Sequence, residues 1–151
     1  PHDDKAADLD AEALNPGNTL LGAAQRRWLE GALDTSPALW NVLAQQVMMA
    51  LVDRAPGQKR AYSMDQWPGA AHERIELMRF LQRRRVANPV VLTGDIHTHW
   101  ANDLRVDDRR TDTPVVATEW VGTSVSSGGD GVDRLNGQDD LLAENPAVRF
   151  L

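Results

Sequence analysis

Residues 88–100 read NPVVLTGDIHTHW, and this stretch decides how the rest of the chain is taken. Val90, Val91, Leu92 and Thr93 form a short, β-branched, apolar run of the kind that fills a fully buried strand. Gly94 ends the run and permits a sharp turn or a close backbone approach. Asp95, His97 and His99 follow at once, just beyond the strand's carboxyl end, where open α/β sheets assemble ligand sites. Asp95 offers a hard oxygen and His97 a nitrogen suited to a borderline metal. If the segment is extended, alternation puts Asp95, His97 and His99 on one side. Spacing alone leaves three readings open: a hydrogen-bonded Asp/His turn, a metal-free acid/base pair, or metal ligation.

Working outward, residues 1–18 are polar and end in NPGN, which reads as a linker or the tail of a preceding loop, with residues 19–151 as the folded unit. From Leu20 to Leu33, Leu21, Ala24, Trp28, Leu29, Ala32 and Leu33 recur at the spacing of one helix face, and the stretch from Asp34 to Pro37 stops it. In LWNVLAQQVMMALV, Trp40, Val42 and Leu43 suit a buried strand, and Gln45 and Gln46 interrupt the apolar run at its far end. Residues 53–68 read as a long loop. A second helix spans Ala70 to about Arg85, with Ala71, Ile75, Leu77, Met78 and Leu81 inward and Arg83, Arg84 and Arg85 at its solvated, cation-favouring end. Leu104 to Val106, the run PVVATEWV and a short helix around Asp139 to Ala143 complete the pattern. Strand, helix and strand in alternation predict an α/β layered fold.

The 151 residues carry 42% hydrophobic and 25% charged side chains, which excludes collagen-like and wholly disordered chains. No apolar run approaches the roughly 18 to 20 residues needed to cross a bilayer. A net charge of -6 does not supply the basic face that nucleic-acid binding requires. With no Cys, disulfides, thiolate zinc sites and cysteine nucleophiles are ruled out. The acids divide into 16 Asp and 6 Glu, a bias toward loop-borne chemistry and hard-cation ligands. Gly122-Thr-Ser124-Val-Ser126 lacks the last glycine of a nucleophile elbow, DGVDRLNGQDD fits no EF-hand register, and SSGGDG lacks a Walker lysine. All three read as plain loops. The opening residues hold neither a basic start nor an apolar core of a signal peptide, and the expectation is a fragment of a longer chain.

Five blocks, LLGAAQRRWLEGAL, SPALWNVLAQQVMM, DQWPGAAHER, NPVVLTGDIHTHWANDL and VATEWVGTSVSS, follow one another over roughly Leu20 to Asp130. In order and spacing they resemble the carboxyl-terminal part of PhoD-like alkaline phosphatases. The resemblance implies part of a calcineurin-like αββα metallophosphatase sandwich, two sheets flanked by helices. It implies metal-dependent hydrolysis of small phosphomonoesters and phosphodiesters at an iron and calcium site, and a secreted or periplasmic location. It also implies that Asp95 and His97 occupy the first and second ligand positions of the superfamily's Gly-His-x-His turn. A carboxylate in the first position hardens that site toward calcium, and His97 suits iron. Gln46 stands where metallophosphatases carry a ligand histidine and offers calcium an amide oxygen. Glu119 matches an acidic family position and is expected to reach a metal directly or through water. Asp65, Trp67 and Gly69 match the family's DxWxGY block, with Ala70 in place of its aromatic, Arg74 matches the arginine that follows it, and Trp100 is expected to pack.

The resemblance further implies an amino-terminal partner segment of the same protein, holding the remaining ligand motifs, which these 151 residues lack. Alone, the piece is expected to hold metal poorly and to hydrolyse little. Two other classes stay open: a noncatalytic metallophosphatase-like binding or packing module, and a metal-free hydrolase using Asp95 and His97.

Overall fold

The computed structural model describes residues 6–129 and 134–151. Residues 1–5 of the expected linker, and positions 130–133 of the acidic turn stretch, lie outside the described residues. Five short strands build the main sheet: β2 (Asn41–Ala44), β4 (Pro89–Thr93), β5 (Trp100–Leu104), β6 (Ala117–Val121) and β7 (Val148–Phe150). Their order is β2-β4-β6-β5-β7. β2, β4 and β6 run parallel, and β5 lies antiparallel to both β6 and β7. A two-stranded antiparallel sheet, β1 (Ala6–Ala7) with β3 (Tyr62–Ser63), lies outside it. The helices are α1 (Gly22–Asp34), α2 (Ala71–Arg84) and α3 (Gln138–Glu144). This is the mixed α/β arrangement that the sequence pattern predicts.

β4 departs from that pattern in one respect. It alternates rather than being buried on both faces: Val91 is fully buried, while Leu92 on the opposite face is 45% exposed. β2 and β6 alternate in the same way, so Val42 and Trp120 share the outer face with Leu92. Leu43, Val91, Trp100, Leu104 and Val121 turn inward and join Leu77, Met78 and Leu81 of α2 in one core. Burying side chains of this size stabilises by about 1.5–3 kcal/mol each relative to exposure, which makes the α2 face the chief anchor of the sheet.

α1 is a weaker element. Leu21, Leu29 and Leu33 lean on the core, but no residue of the helix is fully buried and Trp28 is 69% exposed. The strand expected at Leu104 to Val106 lies earlier, at Trp100–Leu104, because Arg105 begins the turn held by Asp108. Residues 6–18 are likewise not free of the fold. Ala13 is fully buried in a second cluster with Leu51, Tyr62, Met64 and Ala71, its carbonyl accepts the His72 N–H at 3.1 Å, and Asn18 Nδ2 donates to the Gly69 carbonyl at 2.7 Å.

Candidate metal and phosphoester site

β2 and β4 end side by side, and the chain leaves each in a tight turn. Gln45 N–H continues the ladder onto the Leu92 carbonyl at 3.0 Å, and Gly94 N–H donates to the Gln46 carbonyl at 3.2 Å. Gln46 and the Asp95 turn are therefore neighbours through their backbones. The Gln46 side chain is exposed and makes no hydrogen bond among the described residues.

The turn itself is not extended. Asp95 and His97 adopt φ of 76° and 60°, in the left-handed region that non-glycine residues rarely enter. Ile96 N–H donates to the Gly94 carbonyl at 3.0 Å across Asp95, the three-residue pattern of a strained γ-turn. The expectation that alternation aligns Asp95, His97 and His99 fails for this reason. Positions of this kind cost on the order of 1–3 kcal/mol each and persist where surrounding structure holds them. Here the segment after β6 does the holding. Gly122 N–H donates to the Thr93 carbonyl at 2.9 Å, Thr123 Oγ1 donates to the His97 carbonyl at 2.6 Å, and Thr123 N–H meets His99 Nδ1 at 3.4 Å. Asp95 and His97 are exposed, and neither side chain is engaged within the described residues. Trp100 packs as expected, 6% exposed with its Nε1 on Thr98 Oγ1 at 2.7 Å.

Glu119 is placed differently. It is fully buried, and each oxygen accepts two hydrogen bonds: Oε1 from Met49 N–H at 2.7 Å and Thr93 Oγ1 at 2.8 Å, Oε2 from Ala50 N–H at 3.0 Å and Asn102 Nδ2 at 3.1 Å. Burial pushes its carboxyl above the ordinary carboxylate range, and these four donors pull the other way. A carboxylate whose lone pairs are filled in this way has none to offer a cation, so the expected ligand role of Glu119 does not fit the geometry. Among the described residues no three His, Asp or Glu side chains gather at metal-holding distance. Asp95, His97 and Gln46 offer two oxygens and a nitrogen by type, the donor chemistry that calcium and iron accept.

The block DQWPGAAHER supports this corner from behind. Trp67 Nε1 donates to Gln45 Oε1 at 2.9 Å, and Gln45 Nε2 donates to Thr93 Oγ1 at 2.5 Å. Arg74 is fully buried, with Nε on the Met49 carbonyl at 2.7 Å and a salt bridge to Asp108. Asp65 is exposed and faces a cavity of about 370 Å³ that it shares with Arg54, Ser63, Asp95 and Trp100. Thr93, Gln45 and Asn102 were not legible as site residues. Their one signal is a polar side chain at an inward position of a strand or at its end.

The mixed α/β sheet, with a braced turn beyond its central parallel strand, is of the metallophosphatase type, as the match to a solved structure shows. A model of the PhoD-like phosphatase family matches residues 2–151, and the chain belongs to that family. It is 42% identical over 139 residues to alkaline phosphatase D of Bacillus subtilis (strain 168), a match that covers 92% of this chain and 24% of the relative. A solved structure described as that of PhoD superposes with a TM-score of 0.90 at 41% identity, covering 97% of this chain and 28% of the other. The chain therefore spans about a quarter of the length of the relatives it matches.

Proposed function

We propose that this chain supplies one side of a phosphoester-hydrolysing metal site of the alkaline phosphatase D type, acting on phosphomonoesters and phosphodiesters. In this reading Asp95 and Gln46 furnish oxygens for calcium and His97 a nitrogen for iron. The rest of the coordination comes from an amino-terminal part of the same protein, and the setting is secreted or periplasmic. The observation that carries the reading is the Asp95 and His97 turn. Two side chains of ligating type stand on left-handed backbone, unengaged within the described residues, while the Gly94 amide and the His97 carbonyl are held by Gln46 and Thr123. Family membership supports the phosphatase class.

When bound, such cations bind phosphoryl oxygens and make hydroxide available at usable pH. This chain's part is to present the ligands in a fixed geometry and to wall the adjoining cavity with Arg54, Asp65 and Trp100. No described helix is long and apolar enough to cross a membrane. In the native full-length protein, His97→Ala and Asp95→Asn are each expected to abolish hydrolysis of an aryl phosphate; near-normal turnover by either variant excludes that residue as a ligand. A second reading, a noncatalytic packing module, draws on the incompleteness of the ligand cluster among the described residues. It predicts that the full-length protein takes up neither calcium nor iron.

A further inference from the structure

We propose that Thr93 and Glu119 form a buried latch that positions the two ligand-bearing turns, with Glu119 acting through the backbone rather than on a cation. The inference rests on reading Gln46 and Asp95 as ligands, and it adds what fixes the distance between them. Glu119 lies on β6, one strand beyond β4, with its side chain beneath the ends of β2 and β4. One of its oxygens holds both the Met49 N–H and the Thr93 hydroxyl, at 2.7 and 2.8 Å; the other holds the Ala50 N–H and Asn102. The Thr93 hydroxyl gives its proton to Glu119 and accepts Gln45 Nε2 at 2.5 Å. A single hydroxyl thereby joins the residue before Gln46 to the carboxylate that grips the residues after it.

The geometry makes the consequence local. Gln46 sits between Gln45 and Met49, both tied to this network, and its carbonyl takes the Gly94 N–H directly above Thr93. Asp95 is the next residue. Two turns leaving adjacent strands have no reason of their own to keep a fixed separation, because loops without buried anchors sample many conformations. The latch removes that freedom from inside the core. A valine at position 93 would keep the shape and the β-branch of threonine while deleting the hydroxyl that bridges Gln45 and Glu119.

The test compares Thr93→Val, Thr93→Ser and Glu119→Asp with the wild type in the full-length protein. Hydrogen exchange is followed at the amides of residues 46–50 and 94–97, and calcium binding by calorimetry. Thr93→Val is expected to speed exchange of the Gly94 and Met49 amides at least about tenfold while distant α2 amides stay protected, and to weaken calcium binding about 10- to 100-fold, the usual effect of losing a group that orients ligands. Thr93→Ser restores the hydroxyl and is expected to recover both. Glu119→Asp, one methylene short, is expected to behave like Thr93→Val. Unchanged exchange at Gly94 in Thr93→Val overturns the latch, as does equal loss of protection across α2, which marks general destabilisation. Failure of the wild type to bind calcium overturns the ligand reading instead, and the exchange measurement still decides whether Thr93 positions the turns.

Discussion

Arg74 and Asp108 form an ion pair with no solvent exposure on either side chain. The Arg74 fork also reaches the carbonyls of Met49, Arg105 and Val106, and Asp108 accepts the Leu51 N–H at 2.9 Å and the Arg105 N–H at 2.6 Å. The pair thus fastens the segment after β2 to the turn after β5. Removing one member of a buried pair leaves an uncompensated charge, which costs about 3–5 kcal/mol. Arg74→Ala is expected to lose that much in denaturant unfolding. Arg74→Lys should recover little of it, since an ammonium cannot reproduce the planar fork that reaches several acceptors.

Glu73, the neighbour of Arg74, ties α2 to the start of α1. Its Oε2 accepts the N–H groups of Leu20 at 2.7 Å and Leu21 at 3.1 Å, and the start of α1 has no capping side chain of its own. Because α1 buries no residue fully, this distant cap is a large part of what holds its first turn. Glu73→Ala is expected to cost about 1–2 kcal/mol, the range for a lost cap. The α1 amides should then exchange faster than those of α2. Equal protection of the two helices would contradict the assignment.

Gly69 is required by space. A Cβ there would lie 1.9 Å from the Met64 carbonyl oxygen and 2.8 Å from its carbon. Backbone, unlike a side-chain tip, cannot swing aside. Gly69→Ala is expected to destabilise by about 1–3 kcal/mol or more, as overpacked sites do. It should also loosen Trp67, whose indole holds Gln45, and intrinsic tryptophan emission should report that shift.

Legibility in the sequence followed the strength of local pattern. The 3.6-residue period of Leu77, Met78 and Leu81 gave α2, and the β-branched run at residues 90–93 gave β4 and the place of the site beyond it. β1 and β7, two and three residues long, are too short to show a period. The outer face of the sheet was misread because Val90, Val91 and Leu92 are apolar whichever face they occupy. The left-handed turn at Asp95 and His97 has no signature of its own, since its brace, Thr123, lies far along the chain. Glu119 was visible as an acid in an apolar strand, but its role depends on four donors contributed by three other segments.

Tyr62 is the one tyrosine among the 151 residues, and it is fully buried against Leu51 and Ala71. Burial disfavours the phenolate and raises its pKa above the ordinary value of about 10. The Arg109 guanidinium opposes that rise and the Asp53 carboxylate adds to it. The uncharged phenol is thus favoured in the native state. As pH climbs past the unfolded value, the unfolded chain surrenders the proton first, so the native state binds more protons and its stability falls with rising pH. That contribution is intact below pH of about 10 and is lost between there and the native pKa. In an alkaline titration of this chain, the phenolate absorbance is expected to grow only above that point, in step with loss of the far-ultraviolet dichroism. Tyr62→Phe should flatten the alkaline limb of the stability profile. Reversible ionisation at the ordinary value, with the dichroism intact, would mean that the Tyr62 hydroxyl is open to water.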